Sequence, residues 1–573
     1  MSKVNWNFKS SLISPAKINE ISKEFGVSYV MATVLLNRGI ETKEQLKEYI
    51  GKSLDAVHNP MLLPDMEKAA KRIIKAIDEK EKIAIYGDYD VDGVTATTLL
   101  YSFLLDNGAD ASYYIPDRIK EGYGLNIKAI NKISKLGTKL LITVDCGVTS
   151  VGEVELAKAQ KMEVIITDHH TCKERIPDAL AVINPKRADS SYPFSCLAGV
   201  GVAFKLILAV TMLMGKNTKE CFDKYVELAA MGTIADVVEL KGENRVIADR
   251  GIQQLSKSTN EGIKAMLEII GAAEKPINTT TISFMLAPRI NAAGRMKDAS
   301  LAVELLLSKT NISAYKLARE LDEMNRNRQM CERDILNQAL EMIKEDKDFE
   351  NKKIIVLARE GWHHGVVGIV SSKISEMFYK PCILLAVEEN GKAKGSGRSV
   401  EGINLFDALC ACDDLLTQYG GHELAAGLSL DMKDFDAFCQ KINKYLIENI
   451  KKEPQKTLDI DCTIIPEYIT LANVKQLQRL EPFGMGNEMP VFAICGVEVV
   501  ESSTMGIDNR HLKVKINAGG KIIEAVGFSF GQYANSLTKG KRIDIAFNLG
   551  INTYQNTDRV QLILKDIRSS KNV

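Results

Sequence analysis

The chain has 573 residues, of which 45% are hydrophobic and 26% are charged. This length predicts three or four domains with sizeable cores, and no run of about eighteen apolar residues is present to predict a membrane-spanning helix. The 74 basic and 74 acidic residues balance, so net charge indicates no general attraction to nucleic acid or membrane. Eleven scattered cysteines without a C-x-x-C pair, and an N-terminus without an apolar signal core, predict a reducing, cytoplasmic location.

The elements of the first half, taken in chain order, predict a mainly parallel α/β domain. Residues 1–65 have a helical, polar pattern with a capping box at Thr42 and Gln45. Between residues 66 and 245, short apolar runs alternate with helices, as in the βαβ units of a doubly wound sheet. The apolar runs are KIAIYG, ASYYIP, KLLITVDCG, MEVIITDHH and ALAVIN.

The second half predicts three further regions. Residues 246–348 form a helical connector, because AYKLARELDEMNRNRQMCERDILNQALEMIKED contains no glycine or proline to interrupt a helix. Residues 349–450, which begin near KKIIVLA, repeat the α/β pattern. After a lysine-rich linker, residues 457–573 contain several short strands separated by turn residues, which indicates a small closed β-barrel.

Acidic residues and histidines follow three strands of the first predicted sheet. Ligands of doubly wound sheets bind beyond the carboxyl ends of the strands, so we expect these side chains to converge at one edge. Asp236, a lone acid among small and apolar residues after a helix, is a further candidate. The residues at the strand ends are Asp88, Asp90 and Asp92, then Asp145, then Asp168, His169 and His170.

Carboxylates with one or two imidazoles are the ligand set that suits Mn²⁺ or Mg²⁺. Two cations about 3.5–4 Å apart would offset the negative charge and activate a water, which predicts hydrolysis of a phosphate ester or anhydride. DYDVDG also matches the first half of a calcium-binding EF-hand loop, but Leu99 stands where that loop needs a glutamate. Taken singly, Asp145 or Asp168 would be interpreted as a helix N-cap, and only the three strand ends together predict the metal site.

The motifs YGDYDVDG, TVDCG, TDHH and GTIADVV occur in this order and resemble the DHH phosphoesterase superfamily. The all-aspartate first motif is similar to that of the bacterial exonucleases specific for single-stranded DNA. The resemblance extends over nearly the whole chain: GWHHGVVG, GSGRS and GGHELAAG resemble the DHHA1 domain, and the strand-rich tail resembles an OB-type domain. It implies metal-dependent hydrolysis of single-stranded DNA in the 5′ to 3′ direction to 5′-mononucleotides, in recombination and repair.

The resemblance also implies which side chains hold two Mn²⁺ or Mg²⁺ ions. Asp145 is expected to bridge the two ions, and His169 is expected to be a direct ligand. The division of the three N-terminal aspartates between the ions stays open. The six implied ligands are Asp88, Asp90, Asp92, Asp145, His169 and Asp236.

Two further catalytic roles follow from the resemblance. Asp168 is expected to orient His169 through its other ring nitrogen. His170 is expected to contact the scissile phosphate and the leaving oxygen.

The segment GSGRS combines glycines, hydroxyls and a guanidinium, which suit a phosphate group, although the same composition is typical of a glycine-rich turn. Ser396 and Arg398 are therefore expected to hold a 5′-terminal phosphate. The other implied DNA- or phosphate-binding residues are Arg118, Arg289, Asn291 and His422. In the tail, lysines and aromatic residues suit a single strand, although alternating lysines are also typical of a solvated strand face. These tail residues are Lys513, Lys515, Lys521, Phe528 and Phe530.

Two other functions compete with the exonuclease. One is a DHH phosphodiesterase that acts on short oligonucleotides, cyclic dinucleotides or pyrophosphate, against which the long strand-rich tail argues. The other is a non-enzymatic DNA-binding subunit, against which the presence of all six implied ligands argues. The resemblance further implies single-strand-binding protein and a RecQ-type helicase as partners, with no membrane association and a monomeric state favoured.

Overall fold

The structure is a computed structural model that describes residues 4–118, 120–554 and 557–570. They form two compact units. The larger comprises residues 57–238 and 243–454, and the smaller comprises the described residues of 1–56, 239–242 and 455–573. Within the described ranges, no helix has both the length and the hydropathy that crossing a bilayer requires.

Strands and helices are numbered along the chain. The strands are β1 (Asn5–Phe8), β2 (Lys82–Tyr86), β3 (Asp110–Tyr114), β4 (Leu140–Val144), β5 (Glu163–Thr167), β6 (Ala181–Ile183), β7 (Ile355–Glu360), β8 (Cys382–Val387), β9 (Lys392–Arg398), β10 (Gln418–His422), β11 (Ala425–Asp431), β12 (Thr457–Ile460), β13 (Cys462–Thr463), β14 (Phe492–Met505), β15 (His511–Ala518), β16 (Lys521–Gly527), β17 (Arg542–Tyr554) and β18 (Thr557–Ser569). The helices are α1 (Pro15–Phe25), α2 (Tyr29–Asn37), α3 (Lys43–Ile50), α4 (Met66–Asp78), α5 (Val91–Asp106), α6 (Ile127–Lys135), α7 (Val151–Ala159), α8 (Gly199–Leu213), α9 (Thr218–Ala235), α10 (Gly242–Leu255), α11 (Glu261–Ile269), α12 (Thr279–Thr281), α13 (Ala287–Met296), α14 (Ser300–Leu306), α15 (Asn311–Glu345), α16 (His364–Phe378), α17 (Leu405–Cys410), α18 (Phe435–Asn449) and α19 (Leu471–Gln478).

The first sheet of the larger unit is parallel, as the alternating pattern predicts. Its strand order is β3-β2-β4-β5-β6, so β2, β4 and β5 lie side by side. Every residue of β4 is buried, because helices cover both faces of the sheet. The carboxyl ends of these three central strands therefore meet at one edge.

The connector ends in a single long helix, which confirms the prediction from the stretch without glycine or proline. Helix α15 has 35 residues, and the Thr310 side chain accepts a hydrogen bond from the amide of Ser313 at its start. A π-helical turn, Ile282–Leu286, precedes α13. Helix α15 packs against α13 and α16, so it connects the helices that follow the first sheet to the second α/β domain.

The second α/β domain contains a mixed five-stranded sheet of order β10-β11-β9-β8-β7. Only β7 and β8 run parallel, and the other neighbours are antiparallel. Strand β8 is buried from Cys382 to Ala386. Strand β10 forms an exposed edge of the sheet.

The smaller unit contains the predicted barrel. Strand β14 pairs with β15 on one side and with β17 on the other, which closes five strands, β14 to β18, into a barrel. Strands β16 and β18 run parallel, and the other neighbouring barrel strands are antiparallel. The predicted fold class, a parallel-sheet domain, a helical connection, a second α/β domain and an OB-like barrel, is confirmed.

The N-terminal residues share one hydrophobic core with the barrel. Their helical pattern is confirmed for α1 to α3, including the capping box at Thr42 and Gln45. The chain also begins with a strand that the pattern did not predict, because β1 pairs in parallel with β12, about 450 residues away. The Trp6 indole donates a hydrogen bond of 2.7 Å to Asp566, which fixes this strand on the barrel.

Candidate active site

The predicted acidic edge of the first sheet forms a single cluster. Its members follow β2, β4 and β5, and Asp236 joins them as the C-cap residue of α9. The side chains of Asp88, Asp92 and Asp145 are almost entirely buried. Carboxylates this deeply buried require either cationic partners or a metal ion.

The turn between β2 and α5 is tightly constrained. Asp90 is the N-cap of α5, and its side chain accepts a hydrogen bond of 3.0 Å from the amide of Gly93. A Cβ on Gly93 would lie 2.5 Å from the carbonyl oxygen of Asp88, so only glycine fits this position. The turn therefore presents three aspartates at fixed positions relative to the helix.

Asp145 occupies a strained backbone conformation, with φ at +60° directly after β4. Its amide donates a hydrogen bond of 3.0 Å to the carbonyl of Thr167 at the end of β5. A left-handed non-glycine residue costs on the order of 1 kcal/mol or more and is characteristic of functional sites. The strain turns the Asp145 side chain into the cluster.

The ligand atoms divide into three groups, in each of which all atoms lie within 4.8 Å of one another. The groups are Asp88, Asp90 and Asp145; Asp92, His169 and Asp236; and Asp145, His169 and His170. Asp145 belongs to two groups, and its Oδ1 lies 3.2 Å from Nε2 of His169. The geometry thus separates Asp92 from the other two N-terminal aspartates, a division that the sequence left open.

The donor atoms fit divalent cations. Oδ1 of Asp88, Oδ1 of Asp145 and both ring nitrogens of His169 are buried without a hydrogen-bond partner among the described residues. Unsatisfied buried polar atoms are rare and need an explanation. A hard cation bound by carboxylate oxygen and imidazole nitrogen provides one, and the residues present fit two such ions.

The electrostatics of the cluster agree with this fit. Burial, followed by repulsion from Asp90, raises the pKa of Asp92 to about 7. Burial, with repulsion from Asp92 and Asp90, raises the pKa of Asp236 to about 9. Burial lowers the pKa of His169 to about 3, which leaves a neutral imidazole suited to metal binding. The carboxylates repel one another in the absence of a cation.

Asp168 contacts a different histidine from the one predicted. Its Oδ1 accepts a hydrogen bond of 2.7 Å from Nδ1 of His170, and its other oxygen accepts one of 2.9 Å from the amide of Val148. It accepts from the backbone amide of His169 and has no hydrogen bond to that ring. The expectation that Asp168 orients the His169 ring is therefore wrong, and Asp168 orients His170.

The environment of His170 favours its charged form. Burial opposes protonation, but the hydrogen bond and negative charge of Asp168 raise the pKa of His170. The His170 side chain keeps 44% of its surface exposed, so it can reach a substrate. A charged imidazole beside the metal groups suits contact with a phosphate oxygen.

Arginines from three separate segments approach the cluster. Arg118 lies over the ring of Tyr89, with its Cζ 4.6 Å from the ring centroid. Burial, with repulsion from Arg118, Arg328 and Arg398, lowers the pKa of Arg295 to about 10. Nη1 of Arg398 donates a hydrogen bond of 2.8 Å to Oγ of Ser396. Cations whose charges repel one another in a buried setting form a site for an anion.

The chain matches three protein families. It matches the DHH family, N-terminal domain, over residues 82–233, the DHHA1 domain over residues 351–448 and the RecJ OB domain over residues 460–566. It is 37% identical to the single-stranded-DNA-specific exonuclease RecJ of Bacillus subtilis, over all of this chain and 71% of that relative. It is 32% identical to the RecJ of Dickeya dadantii, over 92% of this chain and 94% of that relative. The chain belongs to the RecJ family.

A solved structure of this family has the same fold. The crystal structure of RecJ in complex with Mn²⁺ from Thermus thermophilus matches with a TM-score of 0.85 and 29% identity, over 100% of this chain and 80% of that chain. The match extends through every domain described above. The predicted membership of the DHH superfamily is confirmed.

Three of the substrate-facing candidates in this RecJ-family chain are not part of the arginine cluster. Arg289 is paired with Asp322, with an Nε to Oδ1 distance of 2.8 Å. Asn291 accepts a hydrogen bond of 3.2 Å from the amide of Val91 and thereby supports the aspartate turn. His422 lies on the exposed edge strand β10, in the same row as Arg398 with one strand between them.

The lysines predicted to track DNA in the RecJ-type barrel have acidic or carbonyl partners. Lys513 lies 3.0 Å from Glu524, and Lys515 lies 2.8 Å from Glu501. The ammonium of Lys521 donates to two backbone carbonyls. Phe530 packs against the core, whereas Phe528 is 56% exposed. The solvated-face interpretation fits the first two lysines, and Phe528 stays a candidate for base stacking.

Tyr123 is a residue of the site that the sequence did not indicate. Its hydroxyl lies 3.0 Å from Nδ1 of His170 and donates a hydrogen bond of 3.4 Å to the carbonyl of Asp145. Burial, followed by the charge of Asp168, raises the pKa of Tyr123, so the hydroxyl stays protonated. The segment IPDRIKEGYGLN resembles a substrate-facing segment of the family, but Tyr123 was not among the predicted site residues, and only the folded loop brings it to His170.

Proposed function

We propose that this RecJ-family protein is a metal-dependent exonuclease that hydrolyses single-stranded DNA in the 5′ to 3′ direction and releases 5′-mononucleotides. The observation that carries the proposal is the set of acidic and histidine ligand groups, two of which contain Asp145, beside a half-buried arginine cluster. The curated relatives are single-stranded-DNA-specific exonucleases, which supports the substrate. A nuclease needs these two parts together, one for chemistry and one for holding the strand.

Two Mn²⁺ or Mg²⁺ ions would be held by the six predicted ligands. Asp88, Asp90 and Asp145 would hold one ion, and Asp92, His169 and Asp236 would hold the second. Asp145, whose Oδ1 lies 3.2 Å from Nε2 of His169, would bridge the two. Metal ions in such a site polarise the phosphate and lower the pKa of a bound water so that it attacks at neutral pH. RecJ of Thermus thermophilus has been crystallised in complex with Mn²⁺ and with Mg²⁺, which supports this pair of metals.

The protein's own contribution at the scissile phosphate is charge and orientation. His170, whose Nδ1 is held by Asp168, would donate a hydrogen bond to a phosphate oxygen or to the leaving oxygen. The Tyr123 hydroxyl would limit rotation of the His170 ring. A positioned cationic donor stabilises negative charge that develops in the transition state.

The 5′ end would be held by the arginine cluster. Ser396, Arg398 and Arg295 would bind the terminal phosphate, and Arg118 would bind the next part of the backbone. Guanidinium groups bind phosphate through paired hydrogen bonds, and a fixed distance from the terminal phosphate to the metals would release one nucleotide per cut. His422 would contact the strand at the edge of β10.

The biological setting is proposed from the family resemblance. We propose that the enzyme works in the cytoplasm, in DNA recombination and repair, on single strands exposed by a RecQ-type helicase and covered by single-strand-binding protein. Pull-down with purified partners, with and without single-stranded DNA, would test these associations.

The decisive test is an exonuclease assay with a single-stranded oligonucleotide labelled at either end. We expect mononucleotide release from the 5′ label only, in Mn²⁺ or Mg²⁺, with loss of activity on addition of chelator and on a blunt duplex. Failure to cut long DNA, together with turnover of dinucleotides or pyrophosphate, would assign the chain to a small-substrate activity. Binding of DNA without any hydrolysis would assign it to a non-enzymatic role.

A further inference from the structure

Helix α8 begins directly against the metal centre. The amides of its first two residues, Gly199 and Val200, donate hydrogen bonds of 2.6 Å and 2.8 Å to the two carboxylate oxygens of Asp92. The preceding N-cap residue, Ala198, provides no side-chain cap. The Asp92 carboxylate thus takes the place of the missing cap, and the amides and dipole of α8 stabilise its negative charge.

Gly199 also lies against Asp145, a member of the other two ligand groups. A Cβ on Gly199 would lie 2.4 Å from Oδ1 of Asp145 and 2.6 Å from its Cβ and Cγ. Real Cβ contacts do not occur at such distances, so the Asp145 carboxylate fills the space that a side chain at position 199 would occupy. The φ angle of Gly199 is not in the left-handed region. Conformational freedom therefore does not explain the glycine, and steric contact with Asp145 does.

Gly232, on α9, closes the opposite side of Asp92. A Cβ at this position would lie 2.8 Å from Oδ1 of Asp92 and 2.4 Å from Oγ1 of Thr95. The Asp92 carboxylate is thus enclosed between the amide of Gly199 and the backbone of Gly232. Small changes on either side would move a carboxylate that has no free space around it.

We propose that Gly199 is a positioning residue that sets the separation between Asp92 and Asp145, and hence between the two metal ions. Its amide fixes Asp92, which belongs to one ligand group, and its missing side chain admits Asp145, which belongs to the two other groups. Both functions come from one residue at the first position of α8. The proposal rests on the metal-dependent function proposed above.

The test is Gly199→Ala in the full-length protein, with Mn²⁺ binding measured by isothermal titration calorimetry. Displacement of Asp145 is expected to weaken Mn²⁺ binding by about 10- to 100-fold, as for other losses of ligand positioning. The rise in Tm that Mn²⁺ gives to the wild type should shrink or vanish. The matched control is Gly152→Ala, in the first turn of α7, where a Cβ meets nothing within 4 Å. It should bind Mn²⁺ as the wild type does.

Unchanged Mn²⁺ affinity in Gly199→Ala would overturn the proposal. This holds even if the variant loses Tm, provided that the loss is the same in chelator and in Mn²⁺. A wild-type protein that binds no Mn²⁺ would instead overturn the metal-dependent function itself. These outcomes separate the two proposals.

A second measurement keeps the proposal testable if Gly199→Ala folds poorly. Asp145→Gly removes the three atoms that lie nearest to a Cβ at position 199. In chelator, the Tm loss caused by Gly199→Ala should be at least halved in the Asp145→Gly background. An equal Tm loss in both backgrounds would show that the clash is elsewhere and would overturn the proposal.

Discussion

Two buried charged clusters lie along helix α8, and they are organised in opposite ways. At its first residue, the helix holds Asp92 in a group of carboxylates that repel one another. Two turns later, Lys205 forms a fully buried ion pair with Glu243. The Lys205 ammonium donates to the carbonyl of His58 at 2.6 Å, and the Tyr192 hydroxyl donates to Glu243 at 2.5 Å.

The difference between the clusters separates structural from functional charge. In the Lys205–Glu243 pair, the protein itself supplies the opposite charge, so the cluster is complete. In the metal centre, described side chains leave buried oxygens of Asp88 and Asp145 without partners. An unpaired buried charge is strongly destabilising, so a bound cation would stabilise these carboxylates. The metal centre is therefore assembled for binding, and the ion pair for stability.

The largest effect should come from Asp145→Asn, which keeps the shape of the side chain and removes its charge. We expect exonuclease activity to fall roughly a thousandfold or more, since bound metal ions lower the activation barrier by several kcal/mol. In chelator, Tm should rise, because one of the mutually repelling carboxylates is neutral. Oligonucleotide degradation and a thermal melt in chelator measure the two effects. Activity above a few per cent of wild type would contradict the role of Asp145.

The next largest effect should come from Glu243→Gln, which leaves the Lys205 ammonium buried without its counter-charge. We expect a loss of about 3–5 kcal/mol in the free energy of unfolding, as for other broken buried pairs. The loss should be the same in chelator and in Mn²⁺, because the pair is complete without metal. Chemical denaturation under both conditions measures it.

A matched double variant tests the cause of that loss. Lys205→Met together with Glu243→Gln removes both charges, while the Gln oxygen can still accept from the amide of His58 and the Gln NH2 group can donate to the Tyr192 hydroxyl. Most of the lost stability should return. If the double variant is as unstable as Glu243→Gln alone, the loss comes from packing and not from charge.

The sequence predicted the position of the metal centre because the relevant signals are local. Each strand is a short apolar run, and each acidic residue follows its strand directly, so Asp145 and Asp168 could be placed at one sheet edge. The connector helix α15 was equally predictable from its lack of breakers. The parallel pairing of β1 with β12 could not be predicted, since no local pattern encodes a partner so distant.

The division of the aspartates and the partner of Asp168 required the folded structure. Asp92 is separated from its neighbours by the amides of α8, more than a hundred residues later in the chain. Asp168 was expected to bind the His169 ring, but its Oδ1 accepts a hydrogen bond from Nδ1 of His170 instead. The inclusion of Arg289 among the DNA-binding candidates missed its partner Asp322, which lies two helices further on, in α15.

The arginine cluster is a third kind of charged group, half-buried and without an anionic partner among the described residues, and Arg398→Ala tests it. We expect the preference for 5′-phosphorylated over 5′-hydroxyl ends to fall about 10- to 100-fold, since a hydrogen bond to a charged group contributes about 1.5–3 kcal/mol. Degradation rates on the two ends measure the preference. Arg333→Ala, an exposed arginine on α15, is the matched control and should leave it unchanged. Equal loss of rate on both ends would contradict the assignment.

The smallest effect should come from Glu227→Gln, which concerns a buried acid belonging to neither cluster. Burial raises the pKa of Glu227 to about 7, and a hydrogen bond from Ser258 offsets only part of this. In the unfolded chain the pKa is about 4.3, so the native state holds the proton more tightly and loses stability as pH rises from about 4 to about 7.

Glu227→Gln removes this loss. It should raise the free energy of unfolding by on the order of 1–3 kcal/mol at pH 8 and by little at pH 4.5. Denaturation at the two pH values measures the difference. A gain in the free energy of unfolding that is the same at both pH values would contradict the raised pKa of Glu227. Mn²⁺ affinity should stay unchanged at both pH values, because Glu227, unlike Asp92 at the start of α8, is not part of the metal centre.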